Sequence, residues 1–139
     1  MPEVLIVSDS ALVRAEVRSA LPDAAIAVRE LTRGSEVRES VRKKAPDLAI
    51  LDLQIGKMGG MATCLDLRLE ESGGRIPHIP VLMLLDRRAD VFLARRSAAE
   101  GWAVKPLDPL RLERAINILL AGGRYEDDSC VPVSVPLSS

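Results

Sequence analysis

The sequence predicts an α/β fold in which one parallel sheet lies between two layers of helices. Short apolar runs alternate five times with longer stretches whose apolar residues recur at helical spacing. The runs are apolar at nearly every position instead of alternating with polar residues, which is typical of strands that are buried on both faces. Such strands belong to parallel sheets that helices cover on each side.

The predicted strands are short, and each is followed by a polar residue or a turn signal. In chain order they comprise residues 4–7, 25–31, 48–51, 81–85 and 102–104. The second strand is more polar than the others, which favours a position near an edge of the sheet. Five helices are predicted after the strands, over residues 11–21, 34–45, 61–71, 90–100 and 109–120.

Two of these helices begin at residues that suit helix starts. Ser10 precedes the first helix, and its hydroxyl is predicted to accept a hydrogen bond from a free backbone N–H group there. Asp108 and Pro109 open the last helix, because aspartate caps well and proline fits the first helical position. Both signals support the predicted positions of these two helices.

The 139 residues suit one domain and are few for two. Gly122 and Gly123 break the last helix, and the residues that follow are acidic and then rich in proline and serine. We therefore expect one domain over residues 1–121 and a flexible tail or linker remnant over residues 122–139. This tail is too short and too polar to fold into an output domain.

Charge and composition argue against several classes of protein. The formal net charge is −1 at pH 7, and one Phe, one Tyr and one Trp leave no base-stacking platform, so direct nucleic-acid binding is not expected. Cys64, Cys130 and the single histidine, His78, are too few for a disulfide framework, a zinc site or most histidine-based triads. No apolar run reaches the ~20 residues of a membrane helix, and no signal peptide opens the chain, so we expect a cytoplasmic protein.

Polar residues that directly follow the predicted strands are the candidates for a functional site. They are Ser8 and Asp9 after the first strand, Asp52 after the third, Asp86 after the fourth and Lys105 after the fifth. In an open parallel sheet, ligands bind outside the carboxyl ends of the strands. Carboxylates that lie close together repel one another unless a cation is present. Mg²⁺ needs only one or two carboxylates and keeps waters that a phosphate can replace, so the pattern indicates a Mg²⁺ and phosphate site.

Four stretches between residues 3 and about 121 resemble the receiver domain of two-component response regulators. In sequence letters they are VLIVSD (4–9), PDLAILDL (46–53), MGG (58–60) and VKP (104–106). The resemblance implies a flavodoxin-like, doubly wound sheet of five parallel strands in the order 2-1-3-4-5, with five helices. It also implies an aspartate that takes a phosphoryl group from the phosphohistidine of a histidine kinase or phosphotransfer protein.

The resemblance assigns roles to individual positions. Asp52 resembles the phosphoacceptor, whose carboxylate is the nucleophile in an in-line displacement. Asp9 resembles the acid that binds Mg²⁺ beside Asp52 and the backbone carbonyl of Gln54. Lys105 resembles the lysine that pairs with the phosphoryl group, and its peptide bond to Pro106 is expected to be cis.

Four positions depart from the family pattern. Ser8 replaces a second acid, so weaker Mg²⁺ binding is expected. Leu85 replaces a Thr or Ser that would hydrogen-bond the phosphoryl group. In the family this hydroxyl is coupled to an aromatic residue on the fifth strand, here Trp102, and the two form a switch. The leucine therefore removes one half of that switch. Asp86 replaces a small residue and is expected to repel an incoming phosphate, and Gly56 replaces a common proline in the loop after Asp52.

These departures leave a second function open. The chain is then an atypical receiver that serves as a protein-interaction module whose binding does not depend on phosphorylation. In receivers, a downstream protein or a second copy docks on the surface of the fourth helix, fifth strand and last helix, where this chain carries Arg87, Arg88, Arg95 and Arg96; a solvated helix face explains the arginines equally well. A small hydrolase or flavin protein on the same fold fits worse, because the loop after the first strand lacks the residues that either requires.

Overall fold

The computed structural model describes residues 2–21, 25–55 and 59–126, which form one six-stranded parallel sheet with helices on both faces. The strands are β1 (Glu3–Val7), β2 (Ala27–Leu31), β3 (Leu48–Asp52), β4 (Val81–Leu85), β5 (Gly101–Val104) and β6 (Tyr125–Glu126). The helices are α1 (Ala11–Ser19), α2 (Val37–Lys43), α3 (Gly60–Ser72), α4 (Val91–Arg96) and α5 (Pro109–Leu120). The strand order β2-β1-β3-β4-β5-β6 confirms the predicted order of the first five strands.

Alternating residues of the strands point to two separate apolar layers. Leu5, Leu51 and Met83 lie on one face with α2, α3 and α4, whereas Ile6 and Ile50 lie on the other face with α1 and α5. Every residue of β3 and β4 is buried, as predicted from their unbroken apolar runs, whereas every residue of β2 is only half-buried. The polar character of β2 therefore reflects its position at the edge of the sheet.

Both predicted helix caps are confirmed. The Ser10 side chain accepts a hydrogen bond from the Val13 backbone N–H at the start of α1. The Asp108 carboxylate accepts hydrogen bonds from the first turn of α5, where Pro109 occupies an initial helical position. These caps fix α1 directly after β1 and α5 shortly after β5, at the end of the sheet where the candidate site residues lie.

The fourth helix is shorter than predicted. α4 ends at Arg96, and a short 3₁₀ turn over Arg88–Asp90 precedes it. The periodic pattern does not reveal this end, because Ala98 adopts a left-handed conformation with φ of 61° and the chain turns there towards β5. Ala99, which follows this turn, is completely buried although no helix continues there, whereas Ala98 is exposed.

The prediction of five strands is one short, because β6 forms within the segment that was assigned to the tail. Gly122, with φ of 90°, turns the chain back after α5, and the Tyr125 N–H then donates to the Glu100 carbonyl at 3.1 Å. The Tyr125 carbonyl lies so close to Gly101 that a Cβ there would be 2.7 Å from it. A two-residue strand has no periodicity that the sequence could show. The rest of the predicted tail, including Cys130, lies outside the described residues.

Among the described residues, none of the helices combines the length and the apolar composition that a membrane crossing requires. The longest, α3, has 13 residues.

The first residue of α3, Gly60, packs against the backbone at the end of β3, and a Cβ there would be 2.6 Å from the Asp52 carbonyl and 2.9 Å from the Met83 sulfur. The absence of a side chain at Gly60 therefore fixes how closely α3 approaches the residue that was predicted as phosphoacceptor.

We expect Gly60→Ala to destabilise the protein by about 1–3 kcal/mol, because the added methyl group forces backbone and core atoms apart. Gly73→Ala is the matched control, since the three atoms nearest its Cβ all belong to the guanidinium end of the Arg75 side chain, which can move although it donates to Glu70. The control is expected to change the free energy of unfolding by no more than about 0.5 kcal/mol. Urea unfolding of the three proteins provides the measurement, and equal stabilities would contradict this account of the α3 packing.

Candidate functional site

The carboxyl ends of four strands bring together residues that are far apart in the sequence. Asp52 is the last residue of β3, and Ser8, Asp86 and Lys105 directly follow β1, β4 and β5. Because neighbouring parallel strands end at the same edge of the sheet, these side chains converge there, as the sequence predicts. Asp52 lies at the centre, since its carboxylate contacts both Ser8 and Lys105.

The Asp52 carboxylate is almost completely buried, with 2% of the side chain exposed. Its Oδ2 accepts a hydrogen bond from the Ser8 hydroxyl at 2.8 Å. Its Oδ1 accepts one from the Lys105 ammonium at 2.9 Å and one from the Gln54 backbone N–H at 3.2 Å. A buried carboxylate is tolerated when it is paired and hydrogen-bonded, and these three donors satisfy both conditions.

Ser8 does more than replace an acid. Its side chain is fully buried, its Oγ accepts the Ser10 backbone N–H at 3.1 Å, and its proton is donated to Asp52. Ser10 caps α1, as predicted, and the Ser8 side chain is directed towards the Asp52 carboxylate.

Lys105 links two carboxylates. Its Nζ donates to Asp52 Oδ1 at 2.9 Å and to Asp86 Oδ1 at 3.0 Å. Partial burial lowers the pKa of Lys105, but the hydrogen bonds that its ammonium donates to Asp52 and to Asp86 outweigh burial, so the pKa lies above its ordinary value. The Lys105–Pro106 peptide bond is cis, which confirms the expectation from the sequence. The ammonium is therefore charged and is held at the carboxyl ends of β3 and β4.

The residues that were predicted to bind a metal ion are partly assembled. Asp9 follows Ser8 and is exposed on the loop between β1 and α1, and Gln54 contacts Asp52 through its N–H group. In the part of the chain that the structure describes, no three His, Cys, Asp or Glu residues form a metal-binding group. Two carboxylates and a carbonyl nevertheless fit Mg²⁺, which prefers oxygen ligands and fills its other positions with water. Gly56, which replaces a common proline in the loop after Asp52, lies outside the described residues.

The two positions of the predicted switch are apolar and buried. Leu85 is fully buried at the end of β4, and Trp102 on β5 is 2% exposed in the same apolar layer. The Arg95 guanidinium lies 5.2 Å from the centre of the Trp102 ring, within the range of a cation–π interaction. A leucine side chain cannot donate a hydrogen bond, so hydrocarbon stands where the resemblance implies a hydroxyl.

Two contacts of the site were missed from the sequence. Asp86 was expected only to repel phosphate, yet its carboxylate also binds Lys105. The signal was available, because Asp86 and Lys105 directly follow the neighbouring strands β4 and β5. The hydrogen bond from Ser8 to Asp52 had no such signal, since it depends on the rotamer of one small side chain.

We expect Ser8→Ala to destabilise the protein by about 1–3 kcal/mol, because Asp52 Oδ2 loses its buried donor. In an Asp52→Ala background the same change should cost less, by at least about 1 kcal/mol. The control is Ser10→Ala, which removes the α1 cap at a cost of about 1 kcal/mol in both backgrounds. Urea unfolding of the full set measures the coupling. An equal cost of Ser8→Ala in both backgrounds would show that the hydroxyl does not stabilise the carboxylate.

The sequence matches a known family over most of its length. The sequence model of the response regulator receiver domain matches residues 4–117. Over 133 residues the chain is 29% identical to the nitrate/nitrite response regulator protein NarL of Escherichia coli strain K12, covering 94% of this chain and 60% of NarL. Over 119 residues it is 31% identical to the transcriptional regulatory protein CseB of Streptomyces coelicolor, covering 84% of this chain and 48% of CseB. The chain thus spans about half to three fifths of the length of these relatives.

Solved structures share the fold. A two-component response regulator of the LuxR family from Aurantimonas sp. SI85-9A1 has a TM-score of 0.76 at 25% identity, covering 88% of this chain and 87% of that chain. The chemotaxis response regulator CheY4 of Vibrio cholerae has a TM-score of 0.75 at 27% identity, covering 86% of this chain and 98% of that chain. Both likenesses extend over most of the chain, in agreement with the family match.

Proposed function

Because the chain belongs to the response regulator receiver domain family of two-component systems, we propose that Asp52 accepts a phosphoryl group from the phosphohistidine of a histidine kinase or a phosphotransfer protein. The observation that supports this proposal is the 2.9 Å contact between Lys105 Nζ and Asp52 Oδ1 at the carboxyl ends of the strands. It provides a carboxylate nucleophile beside a fixed positive charge, which is the combination that phosphoryl transfer to a carboxylate requires.

In the proposed reaction, a carboxylate oxygen of Asp52 attacks the phosphorus atom in line with the P–N bond of the phosphohistidine. That bond breaks, its electron pair returns to the imidazole nitrogen, and an acyl phosphate forms on Asp52. The charge of Lys105 then stabilises the negative charge on the phosphoryl oxygens. The domain is a signalling domain, and we propose that at most it catalyses its own phosphorylation and dephosphorylation.

We further propose that Asp9, Asp52 and the Gln54 carbonyl hold a Mg²⁺ ion. When bound, the ion supplies positive charge next to the transferred group. Ser8 offers a hydroxyl where the family has a second acid, and this hydroxyl is already engaged with Asp52. Binding therefore rests on fewer charged ligands, which supports the expectation of a weak affinity for Mg²⁺.

We expect acetyl phosphate and Mg²⁺ to add one phosphoryl group to the wild-type protein and none to Asp52→Asn, because the amide is not a nucleophile. Asp47→Asn is the control, since it makes the same chemical change next to the amino end of β3, where Asp47 contacts only the Glu3 backbone among the hydrogen bonds described here. Intact mass spectrometry and peptide mapping provide the measurement. Modification of Asp52→Asn at the wild-type level would contradict the assignment of the phosphoacceptor.

A second function is favoured by Leu85. Because this buried side chain cannot bind a phosphoryl oxygen, the site lacks a direct link from the phosphoryl group to β4. We propose as the alternative that the surface formed by α4, β5 and α5 binds a downstream protein or a second copy of the chain whether or not Asp52 is phosphorylated. Within this surface Arg95 already contacts Trp102 and lies 4.0 Å from the Glu126 carboxylate, so part of its charge is compensated.

The extent of the structural response to a phosphoryl analogue separates the two functions. In the second function, beryllofluoride and Mg²⁺ shift backbone amide resonances around Ser8, Asp52 and Lys105 and leave those of α4 and β5 unchanged. ¹H–¹⁵N correlation spectra with and without the analogue measure this. Large shifts throughout α4 and β5 would contradict the second function and support a phosphorylation-dependent output.

A further inference from the structure

We propose that Asp86 is a positioning residue that competes with an incoming phosphoryl group for Lys105, and that it thereby limits how readily Asp52 is modified. This inference rests on the proposed function of Asp52 and concerns the regulation of the same site. The observation that carries it is the placement of one ammonium group between two carboxylates, at 2.9 Å from Asp52 Oδ1 and 3.0 Å from Asp86 Oδ1.

The two carboxylates differ in accessibility. The Asp52 side chain is 2% exposed, whereas that of Asp86 is 35% exposed. Lys105 therefore connects an interior acid to one at the surface, where the phosphoryl donor must approach. A lysine ammonium has three N–H donors, and two of them are already directed to carboxylates of this chain.

A phosphoryl group on Asp52 would need hydrogen bonds from Lys105. Its oxygens need donors, and Lys105 is the cation that already touches the acceptor carboxylate. The Asp86 carboxylate holds one of the N–H groups and adds a negative charge to the same space. The Asp86 carboxylate and a phosphoryl group are both negatively charged, so they repel each other when both lie beside Lys105. Asp86 thus acts as an internal anion that competes with the phosphoryl group for Lys105.

The size of the effect follows from the charge and the exposure of Asp86. A unit charge about 6 Å away, in a medium between protein and water, changes the affinity for an anion roughly tenfold. Because Asp86 is partly solvated, the direct stabilisation that its ion pair gives to the fold is small. The consequence of Asp86 is therefore expected in anion affinity and much less in stability.

Four variants test the inference. Asp86→Asn keeps the shape and a neutral acceptor, Asp86→Ala removes the group, and Asp52→Asn removes the anchoring carboxylate. Asp47→Asn is the control for net charge, because it makes the same change next to the amino end of β3. Beryllofluoride with Mg²⁺ is the probe, its dissociation constant is measured by ¹⁹F NMR, and the side-chain nitrogen of Lys105 is observed by ¹⁵N NMR in each protein without the probe.

We expect Asp86→Asn and Asp86→Ala to bind beryllofluoride roughly tenfold more tightly than the wild type, and Asp47→Asn to bind it as the wild type does. The signal of the Lys105 side-chain nitrogen should shift in both Asp86 variants, because the ammonium loses its contact at 3.0 Å. Thermal unfolding, expected to be nearly unchanged, confirms that the variants are folded.

The outcomes distinguish this inference from the proposed function. Equal or weaker binding by both Asp86 variants, with the wild type binding normally, overturns the competition and leaves the role of Asp52 intact. An unchanged signal of the Lys105 side-chain nitrogen in both variants overturns the contact between Lys105 and Asp86. If no protein binds the probe, or if Asp52→Asn binds it as the wild type does, the proposed function and this inference both fail.

Discussion

The site depends on one interaction, the ion pair between Lys105 and the buried carboxylate of Asp52. A carboxylate with 2% exposure is unfavourable unless its charge is compensated, and here an ammonium, a hydroxyl and a backbone N–H provide the compensation. Ser8 and Lys105 are 44 and 53 residues away from Asp52 in the sequence, so only the parallel arrangement of β1, β3 and β5 brings them together. The site thus depends on one property of the fold, namely that its parallel strands end at the same edge of the sheet.

The carboxyl ends of the strands and the apolar layer next to them have different chemistry. At the carboxyl ends of the strands the groups are polar and charged, and Lys105 contacts Asp52. Next to them, the Leu85 side chain lies in the apolar layer that also contains Trp102. The far edge of the sheet is covered by β6, whose approach requires a residue without a side chain at Gly101. Charged groups therefore line the candidate site, whereas the layer between this site and α4 is hydrocarbon.

The sequence predicts this fold well because the signals are repeated and long. Unbroken apolar runs identified β3 and β4, and Asp108 with Pro109 located the start of α5. The positions of Asp52 and Lys105 could be predicted because each directly follows such a run. Other features could not be predicted in the same way. The hydrogen bond of Ser8 depends on a rotamer, and β6 has only two residues and no periodicity. The bridge from Lys105 to Asp86, by contrast, could have been inferred, because the expected strand order already places β4 beside β5.

The most direct test of the central claim is a crystal structure of the protein with beryllofluoride and Mg²⁺. The account predicts beryllium bonded to a carboxylate oxygen of Asp52 and a fluorine atom within hydrogen-bonding distance of Lys105 Nζ, with the contact to Asp86 lengthened or broken. Beryllofluoride that is bound elsewhere, or a Lys105 that keeps both carboxylates and does not touch the analogue, would contradict it.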